Sequence, residues 1–194
     1  LAALRTSEWE HASDVMQERF QADVDQLADA GGPIEWPAPP AGLDDAARIL
    51  RTVMLFEGAR AVLPKIARRP EVVSALAREQ LAEGARMTER AYQDAMRERD
   101  QLIAAFADWA APYDAILTPP VTGEAPSTDT TGDPRFCSRW SLLGAPAIVI
   151  PTALGPHRLP LGLQLVAAPG DDARLLAAAA WAETVLPSPG APPL

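Results

Sequence analysis

Nucleophilic hydrolysis requires a nucleophile and a base that accepts its proton, held within hydrogen-bond reach of each other. The sequence offers little for such a pair. Ser7, Ser13, Ser74, Ser127, Ser138, Ser141 and Ser188 stand in ordinary contexts, outside any Gly-x-Ser-x-Gly turn or Gly/Ser-rich loop. His11 and His157 are the only histidines, and neither sits in an HExxH spacing or a carboxylate-histidine pattern, so both read as surface residues. Lys65, the only lysine, follows Pro64 and is followed by Arg68 and Arg69, the setting of a solvated turn. Cys137 is the only cysteine, so no internal disulfide or cysteine-based zinc site can form, and its thiol reads as inert. Gly31 and Gly32 close a helical pattern instead of opening one, the wrong polarity for a phosphate at a helix N-terminus. The residues therefore predict no catalytic group of this chain's own, no metal and no cofactor.

Composition narrows the class further. With 17 basic against 26 acidic residues and a net charge of -9, the chain lacks the basic footprint that a phosphate backbone requires, so nucleic acid is not an expected partner. No apolar run reaches the roughly 18 to 20 residues that cross a bilayer, and a membrane is not expected either. A single cysteine fits a reducing compartment, which points to the cytoplasm. The start LAALRTSEWE has neither an initiating Met nor a basic leader and reads as mid-fold, so a fragment is expected. At 48% apolar residues, the chain can fill one core or a large part of a bigger one.

The elements that must position any chemistry follow from periodicity. Leu1 to Thr6 reads as a short buried strand. Val15, Met16, Phe20, Val24 and Leu27 recur at three and four, predicting an amphipathic helix over 12–30 closed by Gly31-Gly32. The prolines of 33–40 allow only an extended edge segment. Asp44 is placed as the N-cap of a helix running to Leu63, with Pro64 breaking it. From Glu71 to Trp109 a stripe through Val72, Leu76, Leu81, Met87, Ala91, Ala95, Leu102 and Phe106 predicts one long helix interrupted only by Gly84, at a helix cost of about 1 kcal/mol. Ala115 to Leu117 reads as a core strand, followed by a loop to Pro134. The strands AIVIP, ended by Pro151, and LPLGLQLV come next, and a last helix capped by Asp171 and Asp172 closes the chain. Strands separated by helices and long crossovers predict an α/β protein with a mixed β-sheet flanked by many helices.

Three segments in order, YDAILTPPV, then WSLLGAPAIVIP from Trp140 to Pro151, then LPLGLQLV from Leu159 to Val166, resemble the closing part of the amidase-signature family. LRTSEW, FEGARAVLP and the long helical stretch around EQLAEGARMTERAYQDAMRERDQL resemble its middle-to-late region. The resemblance implies that residues 1–186 are the C-terminal part of a single amidase-signature domain, with 187–194 a Pro-rich tail. It further implies a serine-dependent amidase that hydrolyses a carboxamide C–N bond to an acid plus ammonia or an amine. The lysine, cis-serine and nucleophilic serine of the family precede this region, and Lys65 does not inherit their lysine's role. The implied partners are the N-terminal half of the same amidase and a small-molecule amide substrate, and a homodimer is compatible with such a domain. In the family the segment just ahead of the Gly-x-Pro helix end helps line the substrate pocket. Four-residue helical spacing would turn Pro134 and Ser138 toward that pocket while Phe136 and Trp140 pack inward, although the reverse orientation is also open. The alternative is a truncated, non-catalytic paralogue that serves as a binding or scaffold subunit. An independent helical interaction module is a third reading.

Overall fold

In the computed structural model, which describes residues 1–190, β1 (Ala2–Ala3), β2 (Ile116–Thr118), β4 (Pro160–Val166) and β3 (Ala147–Leu154) lie side by side in that order. β1 runs parallel to β2, and β2 and β3 run antiparallel to β4, giving the mixed sheet that the alternation of strands and helices predicts. Glu35, in the proline-rich stretch, bridges to Ala2 and covers the β1 edge. At the opposite edge β3 has no neighbour beyond it among the described residues.

Helices pack on both faces. α1 (Asp14–Asp29) and α6 (Asp172–Val185) cover one face, where Phe20, Val24 and Leu27 meet Leu117, Leu163 and Leu165. On the other, α2 (Ala46–Ile66), α4 (Glu89–Ala110) and α5 (Arg135–Leu143) close over Ala2, Ile116 and Val166. α3 (Ala75–Arg86) stacks on the outside of α2, where Gly84 comes so close that a Cβ would stand 1.9 Å from the Leu55 carbonyl oxygen. β4 is buried on both faces from Leu161 onward, which accounts for its nearly unbroken apolar run.

Local chemistry sets the helix ends. Ser13, Ser74 and Thr88 each cap a helix by accepting the N–H three residues on. Gly144 adopts a left-handed conformation at φ 63° that ends α5, so that Ala145 N–H reaches back to the Trp140 carbonyl.

Several sequence expectations are corrected. The stretch 71–109 opens on a 3-10 turn over Pro70–Val72 and then forms two helices, separated at Met87 and Thr88 because the Thr88 side chain caps α4; Gly84 is a packing contact and does not interrupt α3. Val15, Val72 and Leu76 are exposed, so their apolar character marks no core stripe. Pro64 lies inside α2, which continues to Ile66; so near the helix end, its missing N–H removes one bond without breaking the last turn. Lys65 accordingly sits exposed on that last turn. Asp44 caps nothing: a 3-10 turn over Leu43–Asp45 precedes α2, and the Asp44 carboxylate accepts the Ser7 hydroxyl at 2.6 Å. Asp171 holds the N-cap position of α6 without a side-chain bond to it, its carboxylate lying instead 3.9 Å from Arg174. β3 passes through Pro151 to Leu154 with a register shift, because a proline on an edge strand can leave its missing donor outside the ladder. Residues 187–190 of the Pro-rich tail carry no helix or strand, and 191–194 lie outside the described residues.

One buried acid stands in the helical stripe of α1. Asp23 is 0% exposed and accepts the Thr152 hydroxyl of β3 at 2.7 Å, with Arg19 2.7 Å from its other oxygen. Burial pushes its carboxyl up from the ordinary range, against the opposing pull of Thr152 and Arg19.

Candidate functional site

The residues that sequence reasoning singled out fall at the start of α5, beside the long loop that follows β2. Pro134 is exposed at the N-terminal boundary of α5 and lines a hollow of about 670 Å³ whose walls include Val121, Pro126, Thr131, Cys137 and Pro160. Ser138 is half-buried, and its hydroxyl donates to the Pro134 carbonyl at 2.8 Å, a back-bond within its own helix. Ser138 is not on the wall of that hollow. Phe136 and Trp140 point into the core, each 2% exposed. Cys137 is exposed, and its thiol lies 3.2 Å from the Pro134 carbonyl.

Behind this helix start lies a charged cluster. Arg135 donates to Asp133 at 2.7 Å and to Glu8 at 3.1 Å. Burial raises the carboxyl of Asp133, but the hydrogen bonds from Arg135 outweigh it and hold the group below its ordinary range. Arg139, 4% exposed, lies 3.7 Å from Glu8 and 4.0 Å from Asp44, while its Nε and Nη1 have no hydrogen-bond partner. Burial lowers its pKa against the attraction of both carboxylates.

A second grouping escaped the sequence reading. Glu124, in the loop after β2, faces the turn between β3 and β4. Its carboxylate accepts the backbone N–H of His157 at 3.0 Å and of Leu159 at 3.1 Å, and lies 2.7 Å from His157 Nδ1. Burial raises the Glu124 carboxyl, and the hydrogen bonds from His157 and Leu159 more than reverse that, leaving it below its ordinary range. His11 and His157 line one hollow of about 510 Å³ together with Ser13 and Glu124. Glu124 and His157 lie 33 residues apart, so no local spacing announces the pair.

The hydroxyls of Ser7 and Ser127 donate to carboxylates, those of Ser138 and Ser141 donate to backbone carbonyls, and those of Ser13, Ser74 and Ser188 accept backbone N–H groups. Among the described residues no set of three His, Cys, Asp or Glu side chains is arranged to hold a metal ion, and no helix is long and apolar enough to cross a membrane.

A Gly-x-Pro helix end thus leads into the antiparallel β3–β4 pair, on a mixed sheet with helices on both sides. The family model for Amidase matches residues 1–176, and the chain belongs to that family. A solved structure described as an amidase superposes with a TM-score of 0.84 at 26% identity, covering 95% of this chain and 45% of that one. The structure of 6-aminohexanoate cyclic dimer hydrolase superposes at 0.76 with 21% identity over 96% of this chain and 44% of that one, a likeness of fold. One of the subunits of glutamyl-tRNA(Gln) amidotransferase from Methylorubrum extorquens is 37% identical over 45% of this chain and 21% of its own length. The chain thus spans less than half of the length of each of these relatives.

Proposed function

We propose that this chain is the C-terminal part of a serine-dependent amidase that hydrolyses a carboxamide C–N bond to an acid plus ammonia or an amine. The nucleophilic serine, cis-serine and lysine would come from the N-terminal half of the same protein, so that the chain by itself is inactive. Its contribution would be one wall of the pocket for a small-molecule amide, working in the cytoplasm, with Pro134 on that wall; Ser138 would reach the substrate only if its hydroxyl left the Pro134 carbonyl.

The observation that carries this reading is the unfinished β3 edge. β3 is eight residues long, and Ala147, Val149 and Pro151 are exposed on the face where Ile116 and Val166 are covered by helices. A long, apolar, unpaired strand is a template for pairing, and natural proteins cover such edges. The other half of the domain would be the natural cover, a reading supported by the chain's spanning 45% of the amidase structure it superposes on.

Co-expression with the coding region upstream of Leu1 tests the reading, with ammonia release from a panel of primary amides as the assay. The chain alone is expected to be inactive. The assembly is expected to hydrolyse at least one amide and to lose that activity when the serine of the upstream Gly/Ser-rich stretch is changed to alanine. Hydrolysis by the chain alone, or an upstream region lacking that serine and lysine, would overturn it in favour of a non-catalytic binding subunit.

A further inference from the structure

We propose that Glu124 is a positioning residue: its carboxylate fixes the loop over 119–134 on the β3–β4 turn and thereby sets the wall of the hollow that holds Pro134. The role in catalysis rests on the amidase reading above; the anchoring itself does not.

The ion pair with His157 is the least of the contacts. The His157 side chain is 82% exposed, and a pair of that kind contributes little in water. The carboxylate is different, because the Glu124 side chain is only 11% exposed and two backbone N–H groups of the turn point at it. Without Glu124 those donors lose their acceptor and must find water.

The turn is shaped to receive it. A Cβ on Gly155 would stand 2.5 Å from the Glu124 carboxyl carbon, so the close approach requires glycine there. Arg158 is the one non-glycine residue with a positive φ among the described residues, at 61°, a conformation that costs energy and persists where neighbours enforce it. Arg158 lies between the two N–H groups that Glu124 accepts, and Gly155 two residues before the first of them.

The loop is pinned at the same place from its other side. Ser13 N–H donates to the Thr122 carbonyl at 2.7 Å, and a Cβ on Gly123 would meet the Ser13 hydroxyl oxygen at 2.9 Å. Thr122 to Ala125 therefore forms a fixed partition shared by the hollow of about 510 Å³ and the hollow of about 670 Å³. From this anchor the chain runs without helix or strand to Pro134, so the position of the wall beyond it depends on the anchor.

Cys137 gives a built-in reporter, being the only cysteine and lying on the wall of the larger hollow. In the chain as it stands, Glu124→Ala is expected to change the alkylation rate of Cys137 several-fold and to abolish slow hydrogen exchange at the His157 and Leu159 amides. Glu124→Gln, which keeps one carbonyl acceptor, is expected to fall between Glu124→Ala and wild type. His157→Asn should leave both readouts near wild type, because the backbone bonds to Glu124 survive. In the assembly with the upstream half, Glu124→Ala is expected to raise KM for the amide on the order of tenfold with a smaller change in kcat, since the wall holds substrate without joining the reaction.

Unchanged Cys137 alkylation in Glu124→Ala overturns the proposal, as does a His157→Asn variant that matches Glu124→Ala in both readouts. If Glu124→Ala does not fold, as judged by circular dichroism, Glu124→Gln decides with the same two measurements. A wild-type assembly that cleaves no amide sinks the proposed function alone, because alkylation and exchange still decide the anchor.

Discussion

Two helical glycines on the α2–α3 interface give opposite expectations for the same substitution. Glycine in a helix interior costs about 1 kcal/mol relative to alanine, so on propensity alone both Gly58→Ala and Gly84→Ala should stabilise. At Gly58 the new Cβ meets only the Leu81 Cδ2 atom at 3.9 Å, an ordinary contact, and the propensity gain of about 0.5 to 1 kcal/mol should appear in full. At Gly84 the new Cβ would stand 1.9 Å from the Leu55 carbonyl oxygen, 2.6 Å from its carbon and 3.1 Å from the Ala59 Cβ. No rotamer relieves a clash with backbone, so α3, whose one buried residue is Gly84, must withdraw from α2 by on the order of 1 Å at that contact. Overpacking of this kind costs about 3 kcal/mol, at the upper end of its range. Set against the propensity gain, Gly84→Ala should be destabilised by about 2 kcal/mol, or roughly 4 to 8 °C in Tm for a chain of this size. Urea melts followed by circular dichroism measure both variants, with the midpoint moving down for Gly84→Ala and up for Gly58→Ala. A Gly84→Ala variant as stable as wild type would refute the close approach of the two helices.

Thr88→Ala removes the side chain that accepts the Ala91 N–H and separates α3 from α4, and a loss of about 1 kcal/mol in the same melts is expected. Asp23 gives a pH signature: burial holds its carboxyl above the unfolded value, so the folded state binds the proton more tightly. Its contribution to stability is therefore greatest at low pH and declines as pH rises from the ordinary aspartate range through the raised folded value. Asp23→Asn, which keeps an acceptor for Thr152, should remove that slope from the unfolding free energy; an unchanged slope would assign it to other groups.

The helices and strands were legible where side-chain period met a cap or a stop. α1 carries its stripe of Met16, Phe20, Val24 and Leu27 between Ser13 and the Gly31-Gly32 pair, and α5 ends at a glycine that the left-handed cap demands. The ordered segments around β2, α5, β3 and β4 were enough to assign the family, because they record how consecutive elements join. Of the candidate site, the sequence pointed to the start of α5, and the structure puts Pro134 on a hollow and Ser138 against its own helix backbone.

The sequence by itself determined the resemblance to the amidase family, the alternation of strands and helices and the identity of most elements, because periodicity, caps and stops act within a turn or two along the chain. Only the tertiary structure decided the rest. Gly84 reads as a weak point in a helix until Leu55 is brought against it, Asp23 has no mark in the sequence until Thr152 covers it, and Glu124 reads as a loop residue until the β3–β4 turn closes on it. In each case the deciding partner lies 29 or more residues away, 129 in the case of Asp23 and Thr152. Burial and backbone hydrogen bonding change what a side chain is worth, and neither is written in the spacing of its neighbours.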